Sequence, residues 1–391
     1  MTKYAQQNAG VSTGLLVGLT LTAALSIANL CYFQPMAELL QSDFGTTKFI
    51  ANLATTLTQA GYTLGILFLV PTGDMFNRKK LMLVIYGFLL IGLIATALAP
   101  TITVVLGACL LVGVGVCAAQ ILVPMVSLLS KPENKSRNVG YMVSGILIGM
   151  LMSRVLSGFI GERWGWRTMF WIATAIIICC TLFVMWRMPN VAPTYKGSYK
   201  NLLLSILQLI RNEHDVAICA VRSGLVFGTF QAMWSTISFR MADAPFHAGA
   251  DVVGMFGLCG IAGALVASGI GGMVHKVGTR NMNLFGASAV ILAWLSMWLF
   301  QNHYWGMILG VVLIDGGVQA CNVTNQTYMF SRVQTAVSRV NTVFMGCMFI
   351  GGSIGTFLAG AALDVMGWDG VCLLGLIMTC CSLAITLSRK Y

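Results

Sequence analysis

The chain has 391 residues, of which 57% are hydrophobic and 9% charged, with a net charge of +11. A soluble domain carries about a quarter charged residues, so this composition excludes a water-exposed globule, and its apolar content excludes disorder. The apolar runs are long and unalternating, as from Leu81 to Ala99, which excludes a β-barrel and leaves helices of about 20 residues spanning a bilayer core roughly 30 Å thick.

Twelve such segments are expected. The first, 11–33, follows a short polar leader without a small-residue cleavage site and reads as a retained helix. It ends in a polar and aromatic stretch, with Asn29, Tyr32, Phe33 and Gln34 before Pro35. The second, 47–71, holds Gln59 and leads into the loop Gly73-Asp74-Met75-Phe76-Asn77-Arg78-Lys79-Lys80. The third is 81–99, and the fourth, 102–128, carries Gln120 and Pro124. The fifth, 139–160, contains Arg154, and Gly165-Trp166-Arg167 opens the sixth, 168–188. A polar stretch then runs over 189–215, and its middle, 201–210, is either an amphipathic surface helix or a solvated linker. The seventh, 216–238, carries Arg222, Gln231 and Trp234; the eighth and ninth are 252–274 and 282–300. The tenth, 305–329, holds Asp315, Asn322, Asn325 and Gln326, with 340–363 and 370–388 completing the set. Tyr304, Trp305, Trp164 and Trp368 are expected in the interfacial belt.

With the N-terminus inside, 17 of the 23 Lys and Arg fall on the cytoplasmic side and 4 outside. That asymmetry places both termini in the cytoplasm and makes the positive charge a topology signal, with no nucleic-acid partner implied. The twelve cysteines form no CxxC or Cys/His spacing, so neither a metal nor a disulfide framework is expected. No Walker-type loop or catalytic triad is present, and no cofactor or enzymatic activity is expected.

Adding 202 to positions in the first half recovers the same residue in the second: Gly115/Gly317, Arg137/Arg339, Gly149/Gly351, Gly158/Gly360, Gly165/Gly367 and Trp166/Trp368, with Gly61/Gly263, Arg78/Arg280 and Ala118/Ala320 besides. Six spans return the chain to its starting side, so the halves are parallel repeats. The expected organisation is a six-helix bundle over 1–189, a linker over 190–215 and a second bundle over 216–391.

The loop from Gly73 to Lys80 resembles the signature between the second and third helices of the major facilitator superfamily, and Gly165-Trp166-Arg167 opens the sixth helix as in many members. The resemblance implies an all-α fold of twelve transmembrane helices in two six-helix bundles that rock to alternate access. Gly73, Asp74 and Arg78 would then form a conformational latch, Gly73 allowing tight approach and the i, i+4 charges pairing. The acid usual at the fifth position of that signature is Asn77 here, and the counterpart from His275 to Arg280 is weaker. Drug/proton antiporters of this superfamily carry a Gly-Pro and a Gly-Gly in the fifth helix, where this chain has Gly149-Met150 and Ser153-Arg154. Their fourth-helix arginine corresponds to Cys109.

An ionisable group inside a span points to function unless it faces a partner. Arg222 lies about two turns from an inner end and is expected to snorkel to the interface. The resemblance puts spans one, four, seven and ten around the central cavity. Asp315 is there the candidate proton carrier, since a partly desolvated carboxylate holds a proton more readily than one in water. Arg154 either neutralises Asp315 or binds an anionic substrate, and a static ion pair is the alternative to both. Asn29, Gln34, Gln59, Gln120, Gln231, Trp234, Asn322, Asn325 and Gln326 are the substrate-binding candidates, with helix–helix hydrogen bonding the competing role for each amide. The expected activity is proton-coupled efflux of a small organic molecule by a monomer in a bacterial inner membrane. The alternatives are a facilitator or importer of a sugar or organic acid, or a non-transporting sensor.

Overall fold

The computed structural model describes residues 10–191, 193, 197–261, 276–332 and 337–388. Every regular element among them is helical, because hydrocarbon offers no water to pair backbone groups and a helix satisfies them within one segment. Ten helices are long and apolar enough to cross a membrane. Spans one to seven are Thr13–Phe44, Lys48–Asp74, Arg78–Ala97, Ile102–Leu129, Pro132–Trp164, Trp166–Arg187 and His214–Ala242; spans nine and ten are Thr279–Leu299 and Tyr304–Arg332. The tenth such helix, Arg339–Leu387, turns at Gly367 into spans eleven and twelve. Span eight starts with the short apolar helix Ala250–Cys259; its remainder, with Gly263 and His275, lies outside the described residues. The described residues hold eleven of the twelve expected crossings and the start of the eighth.

Several spans are interrupted where the sequence supplies a reason. Span one is two helices, Thr13–Ala28 and Phe33–Phe44. At the break the Asn29 amide donates to the carbonyls of Leu25 at 2.9 Å and Ser26 at 3.1 Å, ending the first helix from its own side chain. Pro35 falls in the first turn of the second helix, where its missing N–H takes nothing away. The expected end at 33 therefore falls short, because polar residues from Gln34 to Asp43 dilute a helix that continues. Span two ends in a wider turn over Gly65–Leu69 and a tighter one over Val70–Asp74. Span four breaks at Cys117 and carries Pro124 inside its second half.

The repeat is visible in the packing. A Cβ on Gly158 of span five would stand 3.1 Å from the Gly254 Cα of span eight, and one on Gly360 of span eleven 3.3 Å from the Asn52 Cβ of span two. Asn52 and Gly254 are themselves related by the offset of the repeat, so the two contacts are one contact seen twice about a pseudo-two-fold axis. Gly165 and Gly367 are also equivalent: both hold positive φ, at 82° and 63°, in the turns between spans five and six and between eleven and twelve. The tryptophans that follow differ. Trp166 donates to the Asp43 carboxylate at 3.2 Å. Trp368 is buried and donates to the Met297 carbonyl at 3.1 Å, so it packs inside the protein and leaves the expected interfacial belt.

The polar stretch between the halves contains a helix, Tyr199–Asn212, capped by Ser198, whose hydroxyl accepts the Asn201 N–H. Of the two expectations for this stretch the helical one holds, and Tyr199 donates to the Phe68 carbonyl at 3.0 Å, tying the helix to span two.

Candidate functional site

Inside the protein the two halves meet around one guanidinium. Arg154 is buried in span five, and its Nε donates to Gln34 Oε1 at 2.7 Å. Gln34 reaches it because the break in span one starts the second helix at Phe33. The Trp234 ring of span seven lies 4.0 Å from the guanidinium carbon, and Phe230, one turn earlier, lies 6.0 Å away. A desolvated cation on an indole face is worth about 2 kcal/mol. Asp315, 6% exposed on span ten, has a buried Oδ2 without a hydrogen-bond partner.

Span eight separates the two charges. A Cβ on Gly257 would lie 3.1 Å from the Arg154 Cβ, and one on Gly260, a turn further along, 3.7 Å from Asp315 Oδ2. Arg154 and Asp315 thus border one glycine face from opposite halves. Among the described residues no oxygen–nitrogen pair between them is within the 4.0 Å of an ion pair. Their pairing as a static bridge is absent from this conformation.

A second cross-half contact lies nearby. Gln231 of span seven donates to Gln59 of span two at 2.8 Å. Gln120 donates to the Tyr62 hydroxyl at 2.8 Å, and the Tyr62 ring meets Phe349 of span eleven edge-on at 4.6 Å. Phe230, Tyr62 and Phe349 were not among the sequence candidates. The i, i+4 spacing of Phe230 and Trp234 was the available signal for the first.

Other candidates are occupied elsewhere. Asn29 spends its amide on the break in span one. Asn325 accepts from Arg222 and donates to Ser223 at 2.7 Å. Arg222 does not snorkel: it is fully buried, bonded to Asn325, to Thr386 at 3.4 Å and to the Cys219 sulfur at 3.5 Å. Partners decide this: Asn325, Thr386 and Cys219 take up the guanidinium inside the protein, so it has no need to reach the interface. Gln326 donates to Asn341 of span eleven at 3.2 Å. Asn322 is half-buried one helical repeat from Asp315, with a buried Oδ1 without a partner among the described residues.

In the loop after span two, Arg78 donates to Asp74 at 2.7 Å, with the Arg78 side chain 3% and that of Asp74 41% exposed. Asn77 caps span three by accepting the N–H groups of Lys79 and Lys80, and donates to Asn190 at 3.0 Å. The substitution of the usual acid by Asn77 thus keeps a helix cap. Gly73 makes no tight approach: a Cβ there would stand 3.6 Å from Ile121, an ordinary contact.

The opposite end, carrying Gly45, Gly165 and Gly367, is closed across the halves. Lys48 pairs with Asp243 at 2.8 Å, Glu162 accepts the Ala250 N–H that starts span eight at 2.8 Å, and Asn52 donates to the Thr356 carbonyl at 2.7 Å. A cavity of about 300 Å³ lies there between Glu38, Lys48, Phe239 and Asp243. A second, of about 350 Å³, lies at the other end by Ser12, Phe183 and Arg187. Neither contains Arg154 or Asp315.

Comparison with known proteins follows the same outline. The sequence pattern of the Major Facilitator Superfamily matches residues 16–356. The transporter YgaY of Escherichia coli strain K12 is 31% identical over 369 residues, covering 94% of this chain and 93% of its own. A protein named as a sugar efflux transporter in Helicobacter pylori strain P12 is 21% identical over 359 residues, covering 89% of this chain and 88% of its own. Among solved structures, a mutant of the nucleoside transporter NupG superposes with a TM-score of 0.78 at 14% identity, over 95% of this chain and 98% of that one.

Proposed function

As the chain belongs to the major facilitator superfamily, and so is an integral membrane transporter and not an enzyme, we propose that it exports a small organic molecule by alternating access, with Asp315 carrying the coupled proton. The observation that carries this reading is the arrangement of Arg154 and Asp315, one from each half, facing a shared glycine surface without closing on each other. A buried carboxylate with a cation near but not on it can exchange a proton as the halves move, at a cost that a locked pair would forbid.

The Lys and Arg distribution supports both termini in the cytoplasm of a bacterial inner membrane. The closed end then faces outward and substrate enters from the cytoplasm. Arg154, Trp234, Gln34 and the Gln59–Gln231 pair form the binding wall, and the Asp74–Arg78 turn acts as the cytoplasmic latch. Export is supported by the efflux name of one relative. The chain is read as acting as a monomer.

A second reading, a facilitator or importer of a sugar or organic acid, is favoured by the fifth span. Met150, Ser153 and Arg154 stand where drug antiporters have proline and paired glycines. Reconstitution in liposomes with a trapped pH dye tests both. A substrate-evoked pH change that disappears in Asp315→Asn is expected; substrate flux with no pH change in the intact protein would favour the facilitator.

A further inference from the structure

We propose that the substrate bears a carboxylate or similar anionic group that docks end-on on Arg154, and that this anion and a proton travel in the same direction. The inference rests on the transporter reading above and fixes the sign of its coupling, opposite to the exchange expected of a drug antiporter: export then runs down the anion's own outward gradient and carries the proton out with it.

The guanidinium is committed on two sides only. Its Nε edge is held by Gln34, and one face is covered by Trp234. Among the described residues its two terminal nitrogens donate no hydrogen bond, and neither is a sealed buried atom. That leaves the Nη1/Nη2 end, the fork whose spacing matches the two oxygens of a carboxylate. The neighbouring groups point to the same chemistry. Trp234 Nε1 and Gln34 Nε2, on the two side chains that hold the guanidinium, are buried donors without acceptors, whereas the unsatisfied acceptors Asp315 Oδ2 and Asn322 Oδ1 both lie on span ten. Unsatisfied donors beside a positioned guanidinium suit an oxygen-rich anion, and a cation placed there would meet the charge of Arg154 itself.

The coupling sign follows from charge. The titratable groups around Asp315 are Arg154 of span five and the Cys259 thiol of span eight. In the empty site one carboxylate and one guanidinium compensate each other across Gly257 and Gly260. An anion arriving on Arg154 leaves two negative groups for one cation in a desolvated place, and proton uptake by Asp315 restores neutrality. Anion and proton therefore load together. A cationic substrate would instead displace the proton and give exchange.

Thermal unfolding of the purified full chain with gluconate, glucose and tetraethylammonium separates these cases, gluconate and glucose sharing a polyol and differing in the carboxylate. Gluconate is expected to raise the Tm, more at pH 6 than at pH 8. Its apparent affinity should fall about tenfold or more in Arg154→Gln. Arg154→Lys, which keeps the charge and loses the fork, should show a smaller loss and serves if the glutamine variant does not fold. In Asp315→Asn gluconate should still bind, without the pH dependence. Stabilisation by tetraethylammonium that grows toward pH 8, equal effects of glucose and gluconate, no effect of gluconate, or gluconate binding undiminished in both arginine variants would each overturn the inference. Those outcomes leave the transporter reading intact; that reading fails if no solute crosses reconstituted membranes.

Discussion

Arg154 is held in two different ways by two spans, by a hydrogen bond from span one and a ring face from span seven, and each hold has its own strength. The hydrogen bond from Nε to Gln34 involves a charged donor away from water, worth about 1.5–3 kcal/mol. Gln34→Leu should therefore slow transport about tenfold or more while the protein still folds, as measured by liposome flux; an unchanged rate would make Gln34 a bystander. Arg222 is the contrasting case. It is as deeply buried, yet bonded within its own half to Asn325 and Thr386. Arg222→Leu should lower the Tm and leave the proton-to-substrate ratio unchanged. A changed ratio would place Arg222 in the coupling. The sequence marked both arginines as charges inside spans and separated them by depth alone, expecting Arg222 to snorkel, because it does not give the partner a side chain meets across helices. Asn325 and Gln326 looked like site residues for the same reason: an amide that binds ligand and one that staples two helices are the same residue type.

At the level of elements, hydropathy sufficed to find the spans, since their length and apolarity are written locally. The interruptions were less legible. Asn29 ends a helix through its own amide, and the polar run after Gln34 hides a continuing one. The end opposite the Asp74–Arg78 loop is closed by elements of unequal weight. The Lys48–Asp243 pair is 30% and 53% exposed, worth no more than about 1 kcal/mol. The Gly158 contact is backbone against backbone, and a larger residue there forces the helices apart at about 1–3 kcal/mol. Lys48→Ala should thus raise opening no more than about fivefold, and Gly158→Val should raise it further. Labelling of Gln41→Cys with an impermeant maleimide reads the opening; an equal or larger effect of Lys48→Ala would reverse the ranking. At the other end, Asp74→Asn should slow turnover severalfold without weakening substrate binding. Arg78→Ala should slow it more, because the arginine is the buried partner. Parallel losses of binding and rate would count against the latch.

On the scale of the whole molecule, the twofold plan is kept in the scaffold and broken in the site. Gly158 and Gly360 make equivalent contacts, whereas the repeat mates of Arg154 and Asp315 are Thr356 and Gly113. One charge has gone to each half. Biosynthesis inherits the consequence of that split. The ribosome delivers Arg154 some 160 residues ahead of Asp315, or about ten to thirty seconds at ordinary elongation rates. Through that interval the nascent first bundle holds a guanidinium in the bilayer with Gln34 as its companion, before Trp234 and then Asp315 emerge. The set of side chains around Arg154 is thus complete only late in translation, once the tenth helix has emerged.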